Sequence, residues 1–287
     1  MKKMIAMLMT AVIAVSLMAC GGSSTAQPAD NKEEAAQETG EEAAEAEADA
    51  AAEDAVSEAL ADGVLIVGTN AEFPPFEYVG DDGEPDGFDI ALIKAICEKL
   101  GVEVQVQNME FSSLVESIGS KIDVAIAGMT VTEERKNSVD FSNSYYDAVQ
   151  FVILPKDSTI ASYDDLKGKK LGCQLGTTGM YLIDDIIAED NSTTPSPYNK
   201  AVDAVNDLLN GKLEAVIIDK NPAMVFQAQY ADDLMIVDGA QFGFEVEKYA
   251  IAMPKGDAAL VGAVNAALAE IKADGTFDEL VKQYIEN

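Results

Sequence analysis

Apolar and polar residues follow a pattern that changes repeatedly from strand to helix along most of the chain. The run at 64–69 is typical of a buried strand, and apolar residues at 87–100 recur at helical spacing. The segment 102–107 then alternates with period two, and 122–128 is the continuous apolar run expected of a strand covered on both faces. This order predicts an α/β fold with parallel-rich sheets and helices on both faces.

The alternation starts again after a strand-like connection at 147–155. The second half has predicted strands at 170–175, 213–218 and 234–238, and predicted helices from about 178, at 200–209, and from an Asn221 cap with Pro222 at the first position. Two pairs of similar segments occur in the same order in both halves: 64–71 with 171–179, and 120–128 with 211–219. We therefore predict two lobes of related design.

The final part of the chain has no counterpart in the second half. It contains a predicted strand at 246–253 and helices from Asp257 onward, and we expect it to complete the first lobe. The predicted lobes are residues 63–148 with 249–287 (lobe 1) and residues 149–248 (lobe 2). Two strands then cross between the lobes and form a hinge.

The first twenty residues have the plan of a secretory signal. Two lysines precede an apolar stretch at 4–18 that is too short, with its flanks, to span a bilayer. The next residues, Ala19-Cys20, resemble the bacterial lipobox, which predicts removal of the signal peptide 1–19 and a lipid on Cys20. An ordinary signal in which Cys20 is incidental is the alternative. We expect an extracytoplasmic protein, lipid-anchored to the outer face of the cell membrane, on the periplasmic side in a Gram-negative host.

Residues 20–62 form an acidic segment rich in Ala and Glu. Between Gly21 and Asp62 the chain has thirteen Asp or Glu residues and one Lys. Such a segment cannot bury enough apolar surface to offset its ordering entropy. We predict a disordered tether and folded structure from about Gly63.

The overall charge and composition exclude several classes of protein. A formal charge of −32 and a pI near 4.1 argue against nucleic-acid binding, which requires Lys and Arg to displace counterions. The chain has no histidine and no paired CxxC spacing, so neither a metal site, nor a cofactor, nor a Ser-His or Cys-His catalytic pair is supported.

The acidic string at 81–87 begins like a calcium loop, but Ile93 stands where Glu is required. We predict a hairpin turn there.

Cys97 and Cys173 lie within a helical and a strand pattern, respectively. Exported proteins often contain disulfides, but buried free thiols are the commoner state of Cys in such patterns. We therefore predict buried free thiols and keep a disulfide as the alternative.

Polar residues follow the predicted strands in both lobes. These positions are Gly68-Thr69-Asn70 and Gly128-Met129-Thr130 in lobe 1, and Gly176-Thr177-Thr178 and Asp219 in lobe 2. Ligands of open α/β sheets bind beyond the carboxyl ends of parallel strands. If the lobes face each other, these loops meet across one cleft.

Arg135 is the only arginine in the chain, which otherwise uses Lys eighteen times. Thr132 is the predicted cap of a short helix, and Arg135 projects from its first turn. A guanidinium binds a carboxylate through two parallel hydrogen bonds, which Lys cannot do. We infer a ligand carboxylate, with a surface ion pair to Asp140 as the alternative.

The other lobe offers complementary chemistry. The Gly-rich turn at 176–178 opens a predicted helix, whose free N–H groups favour an anion, but it lacks the Lys of a phosphate-binding loop. Asp219 ends an apolar strand and needs a cationic partner unless it is simply a helix-capping residue. Arg135 and Asp219 together fit the two ends of a zwitterionic amino acid.

Several motifs resemble one family, the polar amino-acid solute-binding proteins of ABC importers. They are "VGTNAEFPPFEY", "DGFDIALIKAI", "IAGMTVTEERKNSVDFSNSYY", "EAVIID" and "ADGTFDELVKQY", and they cover essentially all of 63–287 in order. The resemblance implies a two-lobed periplasmic-binding-protein-like (Venus flytrap) fold with two hinge strands. It also implies a receptor, not an enzyme, that acts as a monomer and delivers an amino acid to a membrane permease.

The resemblance also implies roles for individual residues. Arg135 and the backbone N–H groups of Thr130 and Thr178 would bind the ligand carboxylate, and the Gly128 carbonyl, the Thr130 hydroxyl and Asp219 would bind its ammonium group. The expected ligand-binding set is Asn70, Phe73, Phe111, Ala127, Gly128, Thr130, Arg135, Gln174, Thr177, Thr178 and Asp219, with Phe73 and Phe111 sandwiching the side chain.

Asn70 is a departure from many members of this family, which have Asp there and use it on a cationic or amide side chain. The missing charge weakens the case for a basic ligand, and the missing second arginine weakens the case for a dicarboxylate. We therefore expect a neutral polar amino acid such as glutamine. Another small carboxylate remains an alternative, as does a periplasmic dehydratase on the same fold, for which Glu72 is the candidate acid or base.

Overall fold

The computed structural model describes residues 57–286. The signal peptide, Cys20 and the predicted tether up to residue 56 lie outside the described residues. Ordered structure begins before Gly63, because Ser57 is buried, donates a hydrogen bond to Asp257 Oδ2 at 2.6 Å and caps the 3₁₀ turn Glu58–Leu60. The tether prediction is therefore wrong for residues 57–62.

Strands and helices alternate along the described chain as the pattern predicted. The strands are β1 Val64–Thr69, β2 Glu72–Phe73, β3 Glu77–Val79, β4 Pro85–Asp86, β5 Glu103–Asn108, β6 Val124–Ala125, β7 Val139–Phe141, β8 Tyr146–Pro155, β9 Lys170–Gln174, β10 Thr194–Tyr198, β11 Ala215–Asp219, β12 Leu234–Asp238, β13 Val246–Tyr249 and β14 Ala252–Pro254. The helices are α1 Phe88–Leu100, α2 Leu114–Ser117, α3 Glu133–Lys136, α4 Tyr163–Leu166, α5 Thr178–Glu189, α6 Ala201–Leu209, α7 Lys220–Gln229, α8 Ala258–Ala273 and α9 Thr276–Tyr284.

Two mixed sheets form the two lobes. The first has the order β5-β1-β6-β14-β7, in which β5, β1 and β6 are parallel. The second has the order β10-β9-β11-β8-β12, in which β10, β9 and β11 are parallel and β8 is antiparallel. The carboxyl ends of the parallel strands carry the polar loops singled out from the sequence. The two-lobed α/β fold is thereby confirmed.

The chain crosses between the sheets at β8 and again at β13 and β14. The predicted strand at 246–253 is wrong as a single element, because β13 pairs with β8 and β14 pairs with β6 and β7. The apolar pattern continues through Ala250 and Ile251, so it gave no sign that the chain changes partners there.

Two other local predictions were also wrong. The strand expected at 122–128 is only β6, Val124–Ala125, because the chain then turns into the loop that carries Gly128. The helix expected to begin with an Asn221 cap is α7, which begins at Lys220 with Asp219 at the N-cap position. Pro222 therefore lies in the first turn but not at its first position.

Apolar side chains from helices and sheets pack into one extended core and two smaller clusters. Helix α1 contributes Phe88, Leu92 and Ile96, all fully buried, and ends at Gly101, whose positive φ of 70° suits glycine. The string at 81–87 lies in the β3–β4 hairpin, as predicted. Helix and strand packing thus hold the loops at the sheet ends.

Cys97 and Cys173 are free and buried in different lobes, as predicted from their patterns. Burial raises the pKa of Cys97 to about 11 and that of Cys173 to about 12. We expect both thiols to resist alkylation by iodoacetamide at pH 8 in the native protein and to react on unfolding, because the thiolate is the nucleophile. Peptide mapping by mass spectrometry measures each cysteine separately. Native-state labelling at rates typical of exposed thiols would contradict this prediction.

Candidate functional site

The loops at the sheet ends enclose a small cavity between the two lobes. Its lining comprises Asn70, Phe73, Glu77, Phe111, Ala127, Gly128, Thr130, Arg135, Gln174, Thr177, Thr178 and Asp219. The structure thus brings together all eleven residues predicted from the sequence and adds Glu77.

Arg135 places its guanidinium in this cavity instead of at the surface. Thr132 caps helix α3 by accepting the Arg135 backbone N–H at 3.1 Å, as predicted. Nη1 donates to the Thr130 carbonyl at 2.6 Å, and Nη2 donates to the Gly176 carbonyl of the other lobe at 2.9 Å. The guanidinium also lies 5.4 Å from the centre of the Phe111 ring.

No carboxylate among residues 57–286 forms a salt bridge with Arg135. The alternative partner Asp140 is instead bound to Lys255 at 2.6 Å. Arg135 is only 6% exposed, and burial lowers its pKa. A buried cation without a counter-charge is costly, so an anionic ligand group would stabilise this arrangement.

Backbone N–H groups from both lobes are available near the guanidinium. Thr130 follows β6 and Thr178 is the first residue of α5. In the described part of the chain, neither backbone N–H donates a hydrogen bond. Two free N–H donors and a guanidinium make a suitable site for a carboxylate.

Asp219 provides a carboxylate on the lobe 2 side. It occupies the N-cap position of α7, but its side chain makes no capping hydrogen bond, so the capping alternative is wrong. Its Oδ1 accepts a 2.5 Å hydrogen bond from the Tyr249 hydroxyl. Burial, followed by the nearby negative charge of Glu247, raises the pKa of Asp219 to about 7.

Glu77 and Asp89 form a buried pair of carboxyl groups beneath the Gly128 loop. Asp89 Oδ2 accepts hydrogen bonds from the Gly128 N–H at 2.7 Å and the Tyr145 hydroxyl at 2.8 Å. Asp89 Oδ1 and both Glu77 oxygens accept no hydrogen bond from an N–H or hydroxyl group of the described chain, and the two carboxyl groups hydrogen-bond each other when one of them is protonated. Burial raises the pKa of Asp89 to about 6, and burial with the Asp89 charge raises that of Glu77 well above its usual range. We expect the pair to retain a proton at neutral pH.

Gly128 allows the lobe 1 loop to approach an aromatic wall of the cavity. Its φ of +51° is a left-handed conformation, and a side chain there would come within 3.1 Å of the Phe73 ring. Phe73 is buried and Phe111 is half-buried. Their rings supply apolar surface on the lobe 1 side.

The amides of Asn70 and Gln174 join the lobes at another part of the cavity. Gln174 Nε2 donates to Asn70 Oδ1 at 2.8 Å and to the Asn199 carbonyl at 3.1 Å. Asn70 Nδ2 donates to the Met109 carbonyl at 2.8 Å. Both polar groups of Asn70 therefore have protein partners in the closed cleft.

Glu72, the candidate acid or base of the enzyme alternative, does not line the cavity. It forms a 2.6 Å ion pair with Lys200 across the lobes, in a neighbouring open groove. An ion-paired carboxylate outside the cavity is poorly placed to exchange a proton with a ligand inside it.

Sequence reasoning missed Glu77 and Glu247. Glu77 had a usable signal, because it is a single acid within the apolar string "FPPFEY". Glu247 had none, because it lies in an alternating strand pattern. Its carboxylate contacts Thr130 and Thr178 only through the fold.

The raised carboxyl pKa values predict how the stability of the ligand-free protein depends on pH. Asp219 and Asp89 bind more protons when folded than when unfolded, so their contribution to stability is fully present below about pH 4 and is lost as pH rises through about 6 to 7. We expect a lower unfolding temperature at pH 8 than at pH 5, and a smaller difference in Asp219→Asn. Equal unfolding temperatures at the two pH values would contradict this assignment.

The described residues contain no helix long and apolar enough to cross a membrane and no cluster of His, Cys, Asp or Glu suited to a metal ion. The cavity itself offers one guanidinium, free N–H groups, buried carboxyl groups and aromatic rings.

Comparison with known proteins places the chain in one family. Residues 65–287 match the model of the bacterial extracellular solute-binding proteins, family 3. The arginine-binding extracellular protein ArtP of Bacillus subtilis (strain 168) is 33% identical over 287 residues, covering 99% of this chain and 98% of ArtP.

Solved structures agree with this match. The structure of an ancestral arginine-binding protein bound to arginine matches with a TM-score of 0.73 and 39% identity, and the match covers 78% of this chain and 98% of that chain. The structure of an ancestral arginine-binding protein bound to glutamine matches with a TM-score of 0.72 and 39% identity, and the match covers 78% of this chain and 99% of that chain. The ancestral amino acid-binding protein AncCDT-1, a precursor of cyclohexadienyl dehydratase, is 32% identical with a TM-score of 0.71, and the match covers 79% of this chain and 97% of that chain. The chain belongs to the bacterial extracellular solute-binding proteins of family 3.

Proposed function

We propose that this protein is a receptor that binds a free amino acid between its lobes and delivers it to the permease of an ABC importer. The observation that carries the proposal is the buried guanidinium of Arg135, without a carboxylate partner in the described chain, in the same cavity as the carboxyl group of Asp219. One cationic and one anionic group complement the two charges of an amino acid. The names of the relatives support the same class of ligand.

The carboxylate of the ligand is assigned to Arg135 and to the N–H groups of Thr130 and Thr178. The ammonium group is assigned to Asp219, the Gly128 carbonyl and the Thr130 hydroxyl. Asp219 must be ionised for this contact, so binding of the ammonium would displace its proton.

Glu77 supports a cationic ligand side chain. Its buried carboxyl group lines the cavity and shares a proton with Asp89 in the ligand-free cleft, so a cationic side chain would displace that proton and would then be compensated by the carboxylate. The argument from Asn70 for a neutral ligand carries less weight, because Gln174 and the Met109 carbonyl already bind its amide. A basic amino acid is therefore our first candidate, and a neutral polar one such as glutamine is the second.

A competition assay separates these candidates. Radiolabelled arginine and glutamine are bound to the full-length protein and displaced by each of the twenty amino acids. We expect basic amino acids to compete best, and Glu77→Gln to weaken their binding by about tenfold or more while changing glutamine binding less. Glu84→Gln, in the exposed β3–β4 hairpin, is the matched control. Stronger competition by a neutral amino acid than by any basic one would favour the second candidate.

The expected mechanism is closure of the two lobes around the ligand. The hydrogen bond from Arg135 to the Gly176 carbonyl crosses the lobes, and the proposed ligand contacts also come from both lobes. These ligand contacts exist together only in the closed arrangement, so ligand binding shifts the population toward it. We assign residues 63–148 with 249–287 to lobe 1 and residues 149–248 to lobe 2. The receptor acts as a monomer, carries a lipid on Cys20 that holds it at the outer face of the membrane, and does not catalyse a reaction.

A further inference from the structure

Glu247 is a carboxylate that contacts residues of both lobes. It lies on β13, where the chain returns from the second sheet to the first. Its Oε2 accepts hydrogen bonds from the Thr130 hydroxyl at 2.6 Å and the Thr178 hydroxyl at 2.8 Å. Thr130 follows β6 in the first sheet, and Thr178 opens α5 beside the second. One carboxylate oxygen therefore links two loops that enclose the cavity.

The chemistry of this contact fixes the direction of both hydroxyl hydrogens. An ionised carboxylate only accepts hydrogen bonds, so both threonine hydroxyls must donate to Glu247. The Thr178 oxygen in turn accepts a hydrogen bond from Gln150 Nε2 at 3.1 Å. The lone pairs of the Thr130 oxygen remain available as acceptors. Glu247 thereby orders side chains whose backbone N–H groups belong to the proposed carboxylate site.

We propose that Glu247 is a positioning residue that holds Thr130 and Thr178 in the ligand-binding arrangement and so prolongs the closed state of the cleft. When the lobes separate, these threonines move apart, and one oxygen can no longer accept from both. Opening therefore breaks at least one charge-assisted hydrogen bond. The proposal rests on the proposed amino-acid receptor function, but not on the class of ligand side chain.

Two substitutions at Glu247 distinguish the effect of its negative charge from the effect of its side-chain length. Ligand affinity and dissociation rate are measured on the full-length protein, using the amino acid that the wild type binds best. Glu247→Ala is expected to raise Kd by about tenfold or more, mainly through faster dissociation. Glu247→Asp keeps the charge but is one methylene shorter, so we expect it to resemble Glu247→Ala. Glu245→Gln is the control, because it removes one negative charge at an exposed position of the same segment.

Thr178→Val provides an independent variant that keeps the backbone N–H and the shape of the side chain. We expect it to raise Kd as well, and its effect to be smaller in the Glu247→Ala background than in the wild type, because both changes remove the same hydrogen bond. The ranking of amino acids should not change in any of these variants. A purely structural role would lower the unfolding temperature and leave the dissociation rate of folded protein unaltered.

The outcomes distinguish this inference from the proposed function. If the wild type binds no amino acid, the receptor proposal fails. If the wild type binds and Glu247→Ala or Glu247→Asp binds with wild-type Kd and dissociation rate, the receptor proposal stands and the positioning role of Glu247 is wrong. Additive effects of Thr178→Val and Glu247→Ala would also overturn it.

Discussion

Arg135→Ala is expected to reduce amino-acid affinity by about 30- to 4,000-fold. The estimate follows from a loss of roughly 2–5 kcal/mol when one partner of a buried, hydrogen-bonded charge pair is truncated. In this protein the Arg135 guanidinium is the cation available in the cavity, and the proposed ligand carboxylate would lose both hydrogen bonds and its counter-charge. Isothermal titration calorimetry measures the effect directly.

The same substitution should have little effect on the ligand-free fold. Arg135 is buried without a described acidic partner, so its removal eliminates a desolvated charge together with two hydrogen bonds to carbonyls. We expect an unfolding temperature close to that of the wild type and no ligand-induced increase. Lys136→Ala removes a neighbouring exposed cation and serves as the control. Wild-type affinity in Arg135→Ala would mean that the ligand carboxylate binds elsewhere.

Asp219→Asn is expected to reduce affinity by about 30-fold or more, because the ligand ammonium would lose a buried counter-charge. The Asn carbonyl can still accept from the Tyr249 hydroxyl, so the local structure should persist. The loss is predicted to depend on pH. Wild-type affinity should rise as pH increases through about 7, where Asp219 ionises, and the affinity of the variant should respond less to pH.

Binding measured from pH 5 to pH 8 tests both parts of this prediction. Asp232→Asn is the matched control, because it removes the same charge at an exposed position. Affinity that falls with increasing pH in the wild type would be inconsistent with an ammonium bound to an ionised Asp219. Unchanged affinity in Asp219→Asn would remove Asp219 from the site altogether.

Much of the fold could be predicted from sequence because its elements have strong local patterns. β1 is a buried apolar run, and α1 combines a helical apolar stripe with a glycine stop. The division between β13 and β14 was missed because a continuous apolar pattern does not identify which sheet a strand joins. The start of α7 was missed because Asn221 and Pro222 gave a local start signal, whereas the helix begins at Lys220, directly after the last residue of β11.

The candidate site was predicted mainly from loops at strand ends, whose positions the topology determines. Arg135 and Asp219 were also recognisable because a charged group beside an apolar strand requires a partner. The amide of Asn70 is bound by the side chain of Gln174, which lies 104 positions away in the sequence. Glu247 is bound by Thr130 and Thr178, which lie 117 and 69 positions away. Such pairings are set by tertiary packing, which a single sequence does not encode locally.

Thermal unfolding of the full-length protein with each of the twenty amino acids tests the receptor proposal most directly. A ligand present at a hundred times its Kd adds about 2.7 kcal/mol to the free energy of unfolding, which corresponds to an increase of roughly 5–10 °C for a domain of this size. We predict such an increase for one or a few amino acids in the wild type and for none in Arg135→Ala. No increase with any amino acid in the wild type, or the same increase in both proteins, would contradict the proposed site.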